Sequence, residues 1–328
     1  MEAEAVPERV AVIDLGSNSF RMVVFASHGD RWERERELSA PVRIGAGLAA
    51  SGRLSAEGIA RALDTMDKFA LACSQAGLDR RAIDAVATSA IRDAENGAEL
   101  LALVRERTGL EVRVLSREQE ARYGYLAAVH TTTLSDGCVL DLGGGSLQLV
   151  RVAGRIARES GSWRLGAVRM TERFLTDEGP ARPAKRSQCK ALQAHVARKL
   201  ESAPWLASAG ERLVGLGGTV RNLATAAERA AGLPADRVQG FLLEREALGE
   251  LIERLTALPA AERSKVAGIK PARADIVLAG ALTIDAVMQS GGFASLEVTG
   301  AGLREGIFFE RRLLAHRLEA QQLGARAA

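Results

Sequence analysis

Residues 138–150 read CVLDLGGGSLQLV, and residues 11–23 read AVIDLGSNSFRMV. Aligning Asp14 with Asp141 makes D-L-G-x-x-S recur after 127 residues. Each copy is a short apolar run, an acid, a Gly- and Ser-rich turn and a second apolar run, which predicts a strand, a tight turn and a returning strand. Glycine lets backbone approach a ligand closely, and successive N–H groups in such a turn make an anion-binding nest. An aspartate at the strand end is placed to bind a metal or to orient water. Any one copy also reads as an ordinary hairpin. The duplication favours two related lobes gripping one phosphate-bearing ligand between them.

Working outward, strands and helices alternate in both halves, which places the chain in the α/β class. Residues 31–44 suggest a partly charged strand. Ile59, Ala62, Leu63, Met66, Phe69, Ala70 and Cys73 recur at helical spacing over 54–76, and Gly77 is placed to end that helix. Asn96 and Glu99 suggest a capping box for a helix ended by Gly109, and Ser116 caps a helix that starts at Arg117. In the second half we expect a strand at 158–165, helices near 167–176 and 187–202, and a loop over 177–187. A strand at 212–215 runs into Gly217, Gly218, Thr219 and a helix. Further helices are expected at 244–257, 273–290 and 303–320, with a strand at 296–299.

The 328 residues favour two domains, and the formal charge of +3 does not demand a nucleic-acid partner. Cys73, Cys138 and Cys189 are scattered without a C-x-x-C, which suits a reducing compartment. The N-terminus is acidic rather than signal-like and no apolar run is long enough to span a membrane, so a cytoplasmic protein without membrane association is expected.

Eight strings go beyond spacing. VAVIDLGSNSFRMVV, AVATSAIRDAEN, REQEARYGYLAA, VLDLGGGSLQLV, LGAVRMTERF, VGLGGTVRNLA, PARADIVLAG and GLREG occur in that order between Val10 and Gly306, and the resemblance they carry covers roughly residues 8–315. Together they resemble the exopolyphosphatase / guanosine pentaphosphate phosphohydrolase family. The resemblance implies two ribonuclease-H-like lobes of the actin, Hsp70 and sugar-kinase superfamily around a central cleft. It places the first lobe at 1–132 and the second at 133–302, with a C-terminal helix within 303–328 packing back on the first. Many members carry a further C-terminal helical domain, and this chain resembles the short two-lobe form. A homodimer is an expectation carried from the family.

The same resemblance implies hydrolysis of a terminal phosphoanhydride in inorganic polyphosphate or guanosine pentaphosphate, with Mg²⁺. Glu120 matches the proposed catalytic base, a carboxylate able to take a proton from attacking water. Its place near a helix start favours the ionised form, and a nearby phosphate would raise its pKa. Glu118 fits a plain helix-start acid. Arg92 matches an arginine that meets the phosphate, where a guanidinium fork neutralises equatorial oxygens. Asp141 would hold Mg²⁺, and Asp14 either does the same or caps its turn. Ser17, Asn18 and Ser19 in one turn, and Gly143, Gly144, Gly145 and Ser146 in the other, would present donors to phosphate. Gly217, Gly218 and Thr219 precede a helix whose free N–H groups favour an anion. Arg164, Arg169 and Arg173, with Arg182, Lys185, Arg186 and Lys190 beyond, are candidates for a basic track.

Three departures from the family pattern stand out. G-G-G-S-T-E becomes Gly145-Ser146-Leu147-Gln148, S-D-x-G becomes Thr299-Gly300-Ala301-Gly302, and V-H-G becomes Val238-Gln239-Gly240. Two acids are lost, which keeps two other readings open: an ATP-dependent phosphotransferase of the same superfamily, and a polyphosphate or alarmone sensor with low activity.

Overall fold

A computed structural model describes residues 8–29, 31–175, 181–234 and 238–314. The two copies of the opening motif form two antiparallel hairpins, one in each of two sheets. In the first, β1 (Glu8–Leu15) pairs with β2 (Phe20–His28), Asp14 standing opposite Arg21. In the second, β6 (Gly137–Leu142) pairs with β7 (Leu147–Ala153), Asp141 standing opposite Gln148. The duplication therefore holds to the residue in register.

Each hairpin grows the same way. β3 (Arg31–Ala40) adds antiparallel to β2, then β4 (Ile83–Ala87) and β5 (Val112–Val114) add parallel on the β1 side, giving the order β3-β2-β1-β4-β5. In the second sheet β8 (Ile156–Trp163) extends β7, while β9 (Leu213–Leu216) and β11 (Ser295–Val298) add parallel on the β6 side. A three-residue antiparallel strand, β10 (Leu242–Glu244), closes that edge. The strand patterns did not predict β10, which is too short to show an alternation. Three antiparallel strands followed by parallel ones, twice over, is the ribonuclease-H-like α/β arrangement.

Alternation along the strands sends successive side chains to opposite faces, and both faces are covered. Ala11, Ile13, Leu15, Met22 and Val24 meet Met66, Phe69 and Cys73 of α2 (Ala56–Gln75) and Leu100 and Val104 of α4 (Gly97–Thr108). The short α1 (Leu48–Ser51) and α3 (Ser89–Asp93) lie in the adjoining connections. Ser55 caps α2, accepting from Gly58 N at 3.1 Å. The capping box expected at Asn96 does not form. Its amide instead clamps Leu54 by both backbone groups, at 2.8 and 3.0 Å, a tertiary bond that outcompetes the local one. The Ser116 cap of α5 (Arg117–Thr131) does form, with Gln119 completing the box.

The second sheet is covered on one face by α6 (Ala167–Phe174), α7 (Arg186–Leu200), α8 (Gly218–Ala230), α9 (Arg245–Thr256) and α10 (Val277–Gly291). The strand expected at 31–44 ends at Ala40, and α10 starts at Val277, with the single turn Pro271–Arg273 before it. Part of the loop expected at 177–187 and the last residues of the helix expected at 303–320 lie outside the described residues.

The faces toward the middle share one helix. Tyr123 and Leu126 of α5 pack on Val10, Val12, Val23 and Val86 of the first sheet. Ala121, Ala127, Ala128 and Val129 of the same helix pack on Val139, Val150, Val214 and Leu216 of the second. Residues 303–314 form a final helix, α11, whose Ile307, Phe308 and Phe309 join the first of these clusters. Phe308 stacks on Phe25 with centroids 4.5 Å apart.

The approach of α11 to α5 requires glycine, since a Cβ on Gly306 would sit 1.9 Å from the Tyr123 carbonyl oxygen. Gly306→Ala is expected to lower stability by about 1–3 kcal/mol through overpacking. Gly249→Ala, in α9 with open space at its Cβ position, should gain up to about 1 kcal/mol from helix propensity. Denaturant midpoints of the two variants check both signs.

Candidate active site

The two hairpin turns face one another across a cavity of ≈ 120 Å³. Ser17, Asn18 and Ser19 line it from one side, and Gly143, Gly144 and Ser146 from the other. Backbone carbonyls that would repel an anion are already taken. Gly45 N and Arg43 N donate to Ser17 O and Asn18 O, both at 2.9 Å, while Ala167 N and Val168 N donate to Gly143 O and Gly144 O at 3.0 and 2.9 Å. The second turn is held so tightly that a Cβ on Gly166 would lie 2.4 Å from the Gly144 carbonyl. Ser17 Oγ and Ser89 Oγ, 3.1 Å apart, tie the first turn to α3. Gly217 and Gly218 also line the cavity, Gly217 at φ 103° and so placed that a Cβ on it would lie 2.6 Å from the Leu142 carbonyl oxygen. Gly145 and Thr219 lie behind the wall. Thr219 is fully buried, its methyl against Gly280.

Glu120 reaches this cavity from the first turns of α5 and is only 5 % exposed. Arg92 Nη1 donates to its Oε1 and also to Leu115 O. Gln148 Nε2 donates to its Oε2 at 3.1 Å, and Ser146 Oγ to the same oxygen at 3.3 Å. Burial pushes the Glu120 carboxyl up to about 7, against the lowering effect of Arg92 and Ser146, and the Asp141 charge adds to the rise. Helix-start placement had suggested the ionised form. Desolvation between two sheets outweighs it. Glu118 is the plain helix-start acid, its carboxyl held low first by a hydrogen bond from Ser116. Arg92 touches Glu120 without lining the cavity.

Asp14 and Asp141, the two strand-end acids, both line the cavity. Burial raises both, Asp141 to about 6, with Asp14's charge as its second cause. Around them stand four arginines that spacing did not single out: Arg21, Arg221, Arg273 and Arg304. Arg304 Nη1 lies 3.6 Å from Asp14 Oδ2, and its buried Nε has no acceptor. Arg221 donates to Gly300 O at 2.9 Å. Burial lowers Arg21, lowers Arg221 to about 9 and lowers Arg273 to about 10, with the neighbouring arginines adding to each. Four crowded, partly desolvated guanidiniums form a strong attractor for a polyanion. All four sit within the quoted strings, but arginine is so abundant in this chain that its presence there carried little signal.

Of the basic track, Arg164 and Arg169 do converge with the first lobe, both on Asp93. Arg173 instead lies over the Phe174 ring. Two of the three departures touch one another, as Gln239 Oε1 accepts from Gly300 N at 2.8 Å and from Thr299 Oγ1 at 3.1 Å. The lobes are further linked across the cleft by Arg43–Asp275 at 2.7 Å and by Gly47 N donating to Glu172 at 2.8 Å. No described helix is long and apolar enough to cross a membrane.

The model of the Ppx/GppA phosphatase family matches residues 35–315. Exopolyphosphatase 1 of Mycobacterium tuberculosis is 30% identical over 308 residues, 92% of this chain and 88% of that protein. Its Mycobacterium leprae counterpart is 30% identical over 311 residues. Among solved structures, the Aquifex aeolicus Ppx/GppA family member superposes with a TM-score of 0.77 at 28% identity, covering 94% of this chain and 99% of that one. An exopolyphosphatase from Cytophaga hutchinsonii superposes at 0.84 with 23% identity, covering 92% and 97%, a likeness of fold.

The site generates a prediction independent of turnover. In the ligand-free protein the Glu120 carboxyl is expected to titrate near 7. Arg92→Gln, which removes the main charge holding it down, should move that midpoint upward. Carboxyl-carbon NMR titration reads both, and a midpoint in the ordinary glutamate range would contradict the desolvation account.

Proposed function

The chain belongs to the Ppx/GppA phosphatase family, and on that premise we propose that it is a phosphoanhydride hydrolase. Its substrate is the terminal phosphate of inorganic polyphosphate, of guanosine pentaphosphate, or of both. The observation that carries this reading is the Glu120 carboxyl, buried, raised to about 7, and lining the same cavity as two Gly/Ser turns and four arginines. A base is most useful when its pKa lies near the working pH, and that carboxyl accepts a proton from water at neutral pH. Arg92 and Gln148 hold it in one orientation.

The turns supply hydroxyl and amide donors to the terminal phosphate, and Arg21, Arg221, Arg273 and Arg304 neutralise the anhydride's charge. In this reading no covalent enzyme intermediate is needed. Water adds to phosphorus, its proton passes to Glu120, and the shortened phosphate chain leaves.

Asp14 and Asp141 fit Mg²⁺. Among the described residues no set of three or more His, Cys, Asp or Glu side chains makes a complete metal cage. Mg²⁺ typically takes one or two carboxylates and completes its shell with water and substrate phosphate. The two buried acids repel one another, since Asp14 raises Asp141, and a cation held by them would offset that repulsion. Bound there, Mg²⁺ would offset phosphate charge. Gln148 supplies no negative charge to it, so the metal would rest on the two aspartates.

Phosphate release from long-chain polyphosphate, guanosine pentaphosphate and ATP, offered side by side with Mg²⁺, tests the reading. Glu120→Ala should lose at least about a hundredfold in kcat, the usual scale for a general base, with unchanged circular dichroism. An undiminished rate in that variant removes the assignment. Because the base works deprotonated, kcat/KM, which reports the free enzyme, should rise with pH through about 7 and level above it, and the midpoint in kcat should lie higher because bound phosphate raises the carboxyl further. Chelating the metal, or Asp141→Asn, is expected to depress the rate. Acceptor-dependent ATP turnover would point to a phosphotransferase instead.

A further inference from the structure

Beyond Glu120, outside the cavity, four arginines from both lobes surround a single carboxylate. Asp93 ends α3 and its side chain is 8% exposed. Arg164 Nε lies 3.0 Å from its Oδ2 and Arg169 Nη2 3.2 Å from the same oxygen. Arg92 Nε stands 3.9 Å from Oδ1, and Arg117 Nη2 4.0 Å. Arg92 and Arg117 belong to the first lobe, and Arg164 and Arg169 to the second.

Asp93 and, through Arg92, Glu120 are two carboxylates paired with four guanidiniums. Of the neighbouring acids, Glu120 takes Arg92 Nη1 on its other side, Glu118 accepts from Ser116 Oγ at 2.7 Å, and Glu172 accepts from Gly47 N at 2.8 Å while its charge also reaches Arg169. The buried Arg92 Nε has no hydrogen-bond acceptor. Arg117 and Arg164, 44% and 58% exposed, face Asp93 from opposite lobes and carry charge that the acid only partly offsets. The crowding is felt inside the cluster, where Arg164 and Arg117 add to the burial that lowers Arg169. Guanidinium forks in surplus, half open to solvent, suit a phosphate oxyanion.

We propose that Arg92, Arg117, Arg164 and Arg169 around Asp93 form a second oxyanion site, outside the hydrolytic cavity, that takes a phosphate group bridging the two lobes. It is coupled to the first site by direct contact. Arg169 Nε donates to Gly145 O at 3.3 Å, and Arg92 to Glu120, so occupancy is transmitted to the cradling turn and to the base. The phosphate comes either from a distant part of a polymeric substrate or from released orthophosphate. The choice of ligand rests on the hydrolase reading, while the anion site itself does not.

The test uses the full chain and the double variant R117Q/R164Q, which alters two exposed side chains. Calorimetric titration with inorganic orthophosphate should show two binding sites in the wild-type protein and one in the variant. D93N, which removes the competing carboxylate, should tighten the second site. In kinetics, if polymer is the occupant, the variant raises KM for long-chain polyphosphate relative to tripolyphosphate by about tenfold, the scale of a lost charge-assisted contact. If released product is the occupant, the KM ratio stays and inhibition by orthophosphate weakens by a similar factor. A single site in the wild-type protein, with KM ratio and product inhibition both unmoved in the variant, overturns the proposal. Two sites without phosphate release from any substrate would sink the hydrolase reading and leave this site standing.

Discussion

Keeping one carboxylate, Glu120, between two sheets and out of water is the constraint on which the rest of the structure depends. A buried ionised group carries a penalty of several kcal/mol unless partners offset it. Here Arg92 of α3 does so at one oxygen, and Ser146 and Gln148 of the β6–β7 hairpin at the other, yet the carboxyl still stands at about 7. The position is possible because α5 is a wedge, apolar on both flanks, whose first turns end at the cleft. Close packing fixes that wedge. α11 touches it through Gly306, and a Cβ on Gly124 would lie 3.4 Å from the Asp141 carboxylate. The base, the strand-end acid and the interface between the lobes are thus set by one helix.

Much of this was legible in the sequence. The repeated D-L-G-x-x-S gave both hairpins, and the register of Asp14 with Arg21 and Asp141 with Gln148 repeats at the same spacing. The turns and both acids line one cavity as their composition implied. Tertiary effects were not legible. Asn96 bonds Leu54 rather than its own helix, β10 is a strand only because β11 lies beside it, and burial reverses the ionisation that the helix start suggested for Glu120. The cleft arginines were hidden by their own abundance. Which of many guanidiniums converge is a property of the fold and not of any local pattern.

The internal repeat also shows where the halves diverged. Position for position, Arg21 in one hairpin answers to Gln148 in the other. The first places a cation beside its aspartate, whereas the second places an amide that spends its N–H groups on Glu120, Ser146 and Ser162. Symmetric backbones thereby hold an asymmetric pair of roles, charge on one side and orientation on the other. The departures at Gln239 and Gly300 are likewise one local change, since the amide of the first binds the backbone of the second.

The docking of α11 has a consequence for how the chain is made. Ile307, Phe308 and Phe309 complete a core whose other members lie between Val10 and Leu126. While a ribosome is still producing the second lobe, that face of the first sheet has only α5 to cover it, and Phe25 lacks the Phe308 ring that stacks on it. Contacts of such sequence separation form late and slowly, and exposed apolar sheet invites aggregation meanwhile. The first lobe to emerge is therefore among the last to be finished, its core closed only when α11 arrives.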